Sequence, residues 1–163
     1  MNNENSQIYI IGYGNIFRQD DGLGFELIEM LRAESFQGVI LDDKIQLSVD
    51  DVYNISESNA AIVFFVDASL QGDEPFIFYP VEPCSTISFS IPLLTPEAVI
   101  SMCGSLFNKN VKGYVLGIRG YEWNFSAVPT SNARDNLLKA YSFMRDILFI
   151  LNNNLYSFSK ASV

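Results

Sequence analysis

Two runs in this chain, IYII at residues 8–11 and AAIVFFV at residues 60–66, are apolar at every position rather than at alternate ones. A strand with one wet face alternates, so short continuous runs rich in β-branched and aromatic residues fit strands covered on both faces. That requirement selects a sheet held between two layers of helices. The first run breaks at Gly12, Tyr13 and Gly14, passes the acidic pair Asp20 and Asp21, and turns periodic from Gly22 onward. There Leu23, Leu27, Met30 and Leu31 recur at three- and four-residue spacing with Glu26, Glu29 and Arg32 between them, which predicts a surface helix packed on the sheet.

The same reading places further elements. Residues 39–41 and 45–47 are short strand candidates separated by 42–44, and Ser48 can cap a brief helix over 49–56. Residues 76–81 form a strand that Pro80 and Pro83 push toward an edge. Thr95, Pro96 and Glu97 together make a helix start, with Val99, Met102, Cys103 and Leu106 as the buried stripe and Asn108 as a left-handed stop. Residues 114–118 are the last strand. The loop 119–129 leads to a long helix with Leu137, Tyr141, Met144, Leu148 and Leu151 on one face, expected to end at the asparagines 152–154. Alternating strands and helices predict one α/β domain over 1–163, a three-layer α/β/α arrangement with a mostly parallel sheet of about five strands and frayed ends at 1–6 and 153–163.

Composition removes several functions. Nineteen acidic against ten scattered basic residues give a formal charge of −9, which repels a nucleic-acid backbone or an anionic membrane. No apolar run approaches the roughly 20 residues that span a bilayer. The polar start is not followed by a signal segment, so the cytoplasm is the expected compartment, with Cys84 and Cys103 reduced and packed. There is no histidine, which excludes Ser-His-Asp and Cys-His catalysis.

In open α/β sheets ligands bind outside the carboxyl ends of the strands. The loop 12–21 and Asp67 both occupy such ends. If the two apolar strands are neighbours, Asp20, Asp21 and Asp67 can converge, and like charges that close repel unless a proton or a cation sits between them. A divalent metal site is one reading. Helix capping by Asp20 or Asp21, with Asp67 turning the chain, is the other. The turn at Gly12 and Gly14 does not complete a GxGxxG phosphate cradle, because position 17 is phenylalanine and two acids follow. Trp123 beside Glu122 reads either as a core or rim aromatic or as part of a partner-docking loop.

The segment GYGNIFRQDDGLG at residues 12–24 resembles the opening motif of the hydrogenase maturation proteases, G-x-G-N-x-x-x-x-D-D/E-G-x-G after the first strand. Residues 46–48 before a short helix, VFFVDA at 63–68, and residues 90–106 followed by the strand 114–118 fall in that family's order, so the resemblance runs from about residue 7 to 150. It implies an endopeptidase that removes the C-terminal extension of a nickel-loaded hydrogenase large-subunit precursor. It matches Asp21 and Asp67 to the family's acidic metal contacts, with no tightly bound cofactor, since the nickel comes with the substrate. Another divalent cation at Asp21 and Asp67 is also compatible with it.

The family's third contact is a histidine, and its best match here is Pro92, with Ser90 and Ile91 as neighbours. A second histidine of many relatives, just before Gln46, is replaced by Ile45. Glu97, Glu122 and Cys84 are the candidates to stand in for the missing donor. The expected partner is the precursor or its C-terminal peptide. The catalytic residues stay unassigned, and an inactive homologue that binds a protein or peptide is the second reading. A flavodoxin-like nucleotide binder is the third.

Overall fold

In the computed structural model of the chain the residues described are 7–84 and 94–160, with side chains as far as residue 152. The elements are β1 (Gln7–Tyr13), a 3-10 turn (Gln19–Gly22), α1 (Leu23–Arg32), β2 (Val39–Lys44), α2 (Val49–Glu57), β3 (Ala60–Ser69), β4 (Phe76–Pro80), α3 (Pro96–Phe107), β5 (Lys112–Arg119) and α4 (Ser131–Lys160). They form a three-layer α/β/α fold. The five strands lie in the order β2-β1-β3-β5-β4, all parallel except β4, which runs antiparallel to β5 at the edge.

The continuous apolar runs are explained by where alternate residues point. Ile8, Ile10, Phe64 and Val66 face α1 and α4, against Leu23, Leu27, Leu31, Leu137, Met144 and Leu148. Tyr9, Ile11, Val63 and Phe65 face α2 and α3, against Val52, Ile55, Val99, Met102 and Cys103. Strands β1 and β3 therefore bury both faces, and burial of this kind is worth on the order of 1.5–3 kcal/mol for each large side chain.

Local signals at the helix ends act as their chemistry dictates. The Thr95 hydroxyl accepts from the Ala98 N–H at 3.3 Å, Pro96 opens α3, and Asn108 ends it at φ 52°. At α2 the fully buried Asp51 carboxylate reaches back to the Ser48 N–H at 2.6 Å and takes the Lys44 ammonium as its counter-ion.

Four expectations are corrected. Leu106 does not join the buried stripe of α3, which is Val99, Ile100, Met102 and Cys103, but is 60% exposed. Residues 45–47 are not a strand: β2 continues instead through Asp42, Asp43 and Lys44 as far as the pair Tyr13↔Lys44. The charges are tolerated because β2 is an edge strand and each finds a partner, Asp42 the Tyr9 hydroxyl at 3.0 Å, Asp43 Arg32, and Lys44 Asp51. Helix α4 does not stop at the asparagines but runs to Lys160, since asparagine lowers helix propensity without breaking a helix as proline does. Both cysteines are free thiols, yet only Cys103 is packed, while Cys84 is exposed. Among the described residues no helix is long and apolar enough to cross a membrane.

Helix α1 enters the sheet at unusually close range. A Cβ on Gly24 would lie 2.5 Å from the Val66 carbonyl oxygen and 2.6 Å from that of Tyr13, both backbone atoms that cannot swing aside. Gly24→Ala is therefore expected to lower unfolding free energy by about 1–3 kcal/mol, read as a shifted urea midpoint at unchanged slope. This contact presses the start of α1, and the loop before it, onto the ends of β1 and β3.

Candidate functional site

The strand order reverses direction between β1 and β3, so the crevice beyond their carboxyl ends is the topological switch point where open α/β sheets bind ligands. A cleft of about 300 Å³ opens there, walled by Tyr13, Gly14, Arg18, Ile45, Leu47 and Leu94, with Asp21 and Asp67 in its lining. Gly14 adopts φ +136° at the bend. A side chain at that position would meet the Asp21 carbonyl oxygen at 1.9 Å and approach Asp67 Oδ1 at 3.8 Å, so only glycine lets the two acidic segments close around the turn.

Asp21 keeps its carboxylate in place through neutral donors. The Asn15 N–H donates to Oδ2 at 3.2 Å, and the indole N–H of Trp123 donates to Oδ1 at 3.1 Å. The half-exposed Arg18 guanidinium stands 3.9 Å from Oδ2, a weak pairing in a wet setting.

Asp67 sits deeper, near the end of β3. Burial pushes its carboxyl up to about 7, and the Asp21 charge adds to that, while the Ala68 N–H at 2.7 Å and the Tyr13 hydroxyl pull the other way by hydrogen bonding the charged form. The Tyr13 phenol is in turn raised by burial and by the charges of Asp67 and Glu97. A proton thus relieves the crowding of two like charges when no cation does.

Asp20 separates from this pair. It is wholly buried and points away from the cleft, accepting from the Tyr121 N–H at 2.8 Å, the Glu122 N–H at 3.1 Å, the Thr130 N–H at 2.7 Å and the Thr130 hydroxyl at 2.8 Å. Neither aspartate caps α1, whose N-cap residue is Gly22. Asp20 instead anchors the loop between β5 and α4, which also brings Trp123 to Asp21. Trp123 therefore packs inward against the site.

Pro92, Ser90 and Ile91 lie outside the described residues. Ile45 and Gln46 do line the cleft, so the position to which the motif resemblance assigns a second histidine is on its wall and is apolar here. Of the stand-ins, Glu97 is close enough to raise the Tyr13 and Tyr79 phenols, although it does not line the cleft. Glu122 is engaged with Gln19 and Asn124, and the backbone N–H of Cys84 is held by Ser101. Among the described residues no three His, Cys, Asp or Glu side chains are grouped to hold a metal ion. Asp21 and Asp67 supply two hard oxygen donors, and a cation there would need its other ligands from water or from whatever carries it.

Tyr13 and Trp123 were not legible as site residues. Tyr13 could have been noticed inside the glycine turn, whereas Trp123 reaches Asp21 from 102 positions away along the chain, a pairing no local pattern encodes.

No protein-family model matches this sequence, and no curated protein matches it significantly. Its fold does match solved structures. The NiFe hydrogenase maturation protease HycI from Thermococcus kodakarensis KOD1 superposes with a TM-score of 0.70 at 21% identity, covering 90% of this chain and 94% of that one. The hydrogenase 2 maturation peptidase from Thaumarchaeota archaeon SCGC_AB-539-E09 gives 0.64 at 14% identity over 88% and 98% of the two chains. The hydrogenase maturating endopeptidase HybD from E. coli gives 0.61 at 14% identity over 87% and 91%. The fold of this chain is the fold of those maturation proteases.

Proposed function

We propose that this chain is a hydrogenase maturation endopeptidase that acts in the cytoplasm on a nickel-loaded large-subunit precursor and removes its C-terminal extension. The observation that carries the proposal is the meeting of Asp21 and Asp67 in one cleft at the switch point of this fold. In this reading the metal is part of the substrate, and the two carboxylates contact it while the substrate's own donors complete its shell. A third protein ligand is then unnecessary, which accommodates proline at the position of the family histidine.

The chemistry of the cleft is consistent with a cation reader. Asp67 resists ionisation because it is buried beside Asp21, so an arriving divalent ion displaces a proton and turns repulsion into attraction. A precursor without nickel offers no such compensation. The cleft would thereby distinguish loaded from empty substrate before any bond is cut.

Incubating the purified chain with nickel-loaded and nickel-free precursor, followed by intact-mass measurement, tests the proposal. The expected result is one C-terminal cut in the loaded precursor and none in the empty one. Absence of cleavage in every precursor would overturn the enzymatic reading, and retained binding without cleavage would identify a peptide-binding homologue instead.

A further inference from the structure

We propose that Trp123 is the positioning residue for Asp21: its indole N–H fixes the carboxylate so that the cleft-facing lone pairs can receive a cationic group. This inference rests on the proposed role of Asp21 as a contact to the substrate's metal. The two oxygens of Asp21 are each held by one neutral donor, Oδ1 by the Trp123 Nε1–H at 3.1 Å and Oδ2 by the Asn15 N–H at 3.2 Å. Two donors from separate loops define the orientation of the carboxylate plane, and each oxygen keeps a lone pair for another partner.

The choice of donor matters. An indole N–H only donates and carries no charge, so it orients Asp21 without supplying the counter-ion that would compete with a metal. The nearby guanidinium of Arg18 is half-exposed and longer in reach, so it leaves most of the charge unmatched.

The frame behind the indole is firm. Besides the bonds to Asp20, the Gln19 N–H donates to the Ser126 carbonyl at 2.6 Å and the Ser126 N–H to that of Phe17 at 3.1 Å. The Gln19 side chain donates to Glu122 at 3.0 Å and accepts from the Asn124 N–H at 3.3 Å. The ring also closes over Gly120, where an added Cβ would meet it at 2.9 Å. A tryptophan held this way delivers its N–H to one place, as a positioning role requires.

Trp123 is the only tryptophan in the sequence, so a ¹H–¹⁵N spectrum contains a single indole resonance. That resonance should move upfield in Asp21→Asn, where a neutral amide replaces the carboxylate acceptor; an unmoved resonance would overturn the inference. Trp123→Phe keeps an aromatic ring and loses the donor. It should lower kcat/KM for nickel-loaded precursor about tenfold at a temperature where the variant remains folded, and should weaken binding of nickel ion alone by a similar factor. Wild-type rates in Trp123→Phe would also overturn it. If the wild-type chain cleaves no precursor, the proposed activity fails, and the indole shift still decides whether Trp123 holds Asp21.

Discussion

Asp67→Asn is expected to stabilise the chain above pH 7 while reducing cleavage of the nickel-loaded precursor by roughly 100-fold or more. The stability gain follows from the position of its titration. In the unfolded chain the carboxyl titrates near the ordinary 3.8, whereas burial beside Asp21 raises it to about 7 in the fold. Between those values the native chain holds a proton that the unfolded chain has released. Wild-type stability therefore falls as pH rises through this window, and the full penalty is present above about pH 7.

Asparagine cannot ionise, so the variant escapes the penalty, with a gain of about 2–4 kcal/mol at pH 8 that vanishes near pH 4. Urea titrations at several pH values measure it. The loss of activity has a separate origin: under the proposed function, the amide removes one of the two charges that would face the substrate's metal. Partners that only orient a metal ligand are worth 10–100-fold, so a direct contact should reach the upper end of that range at least. A variant that is both less stable at pH 8 and fully active would contradict both halves of this account.

Asp20→Ala should destabilise the chain by about 3–5 kcal/mol, the largest effect expected of a single polar side chain here. Truncation leaves three backbone N–H groups and the Thr130 hydroxyl without their acceptor, inside a site that solvent does not reach. Thr130 itself bonds the Ala133 N–H at 3.3 Å in the first turn of α4, so the damage extends from the loop into that helix. Asp20→Asn retains one acceptor oxygen and should cost about 1–3 kcal/mol. Because the same loop carries Trp123, the alanine variant should also lose cleavage beyond what its folded fraction explains. A change below about 1 kcal/mol in urea would show that the loop is not anchored through Asp20.

These residues also show what a sequence can disclose and where it stops. The runs at 8–11 and 60–66 disclosed a doubly covered sheet because both faces of each strand must be apolar, and Thr95, Pro96 and Asn108 disclosed a helix because each satisfies a backbone requirement locally. Asp21 and Asp67 were legible together through topology, since parallel strands place their carboxyl ends at one edge. Asp20 was not, because its partners lie 101 to 110 residues away and an acid before a helix reads as that helix's cap. The extension of β2 over Asp42, Asp43 and Lys44 was hidden for a related reason: charged residues read as a turn until Tyr9, Arg32 and Asp51 are seen beside them. Local signals give the elements, whereas tertiary hydrogen bonds decide which of two adjacent aspartates faces the cleft.

Under the proposed function Asp21 and Asp67 share one cation site. Diffraction at the absorption edge of nickel or cadmium, from crystals soaked in that ion, tests it most directly. The expected result is an anomalous peak in the cleft with an oxygen of each carboxylate about 2.0–2.6 Å away, and no such peak in Asp21→Asn crystals. A cation-saturated crystal with no peak between the two aspartates, or with a peak reached by only one of them, would contradict it.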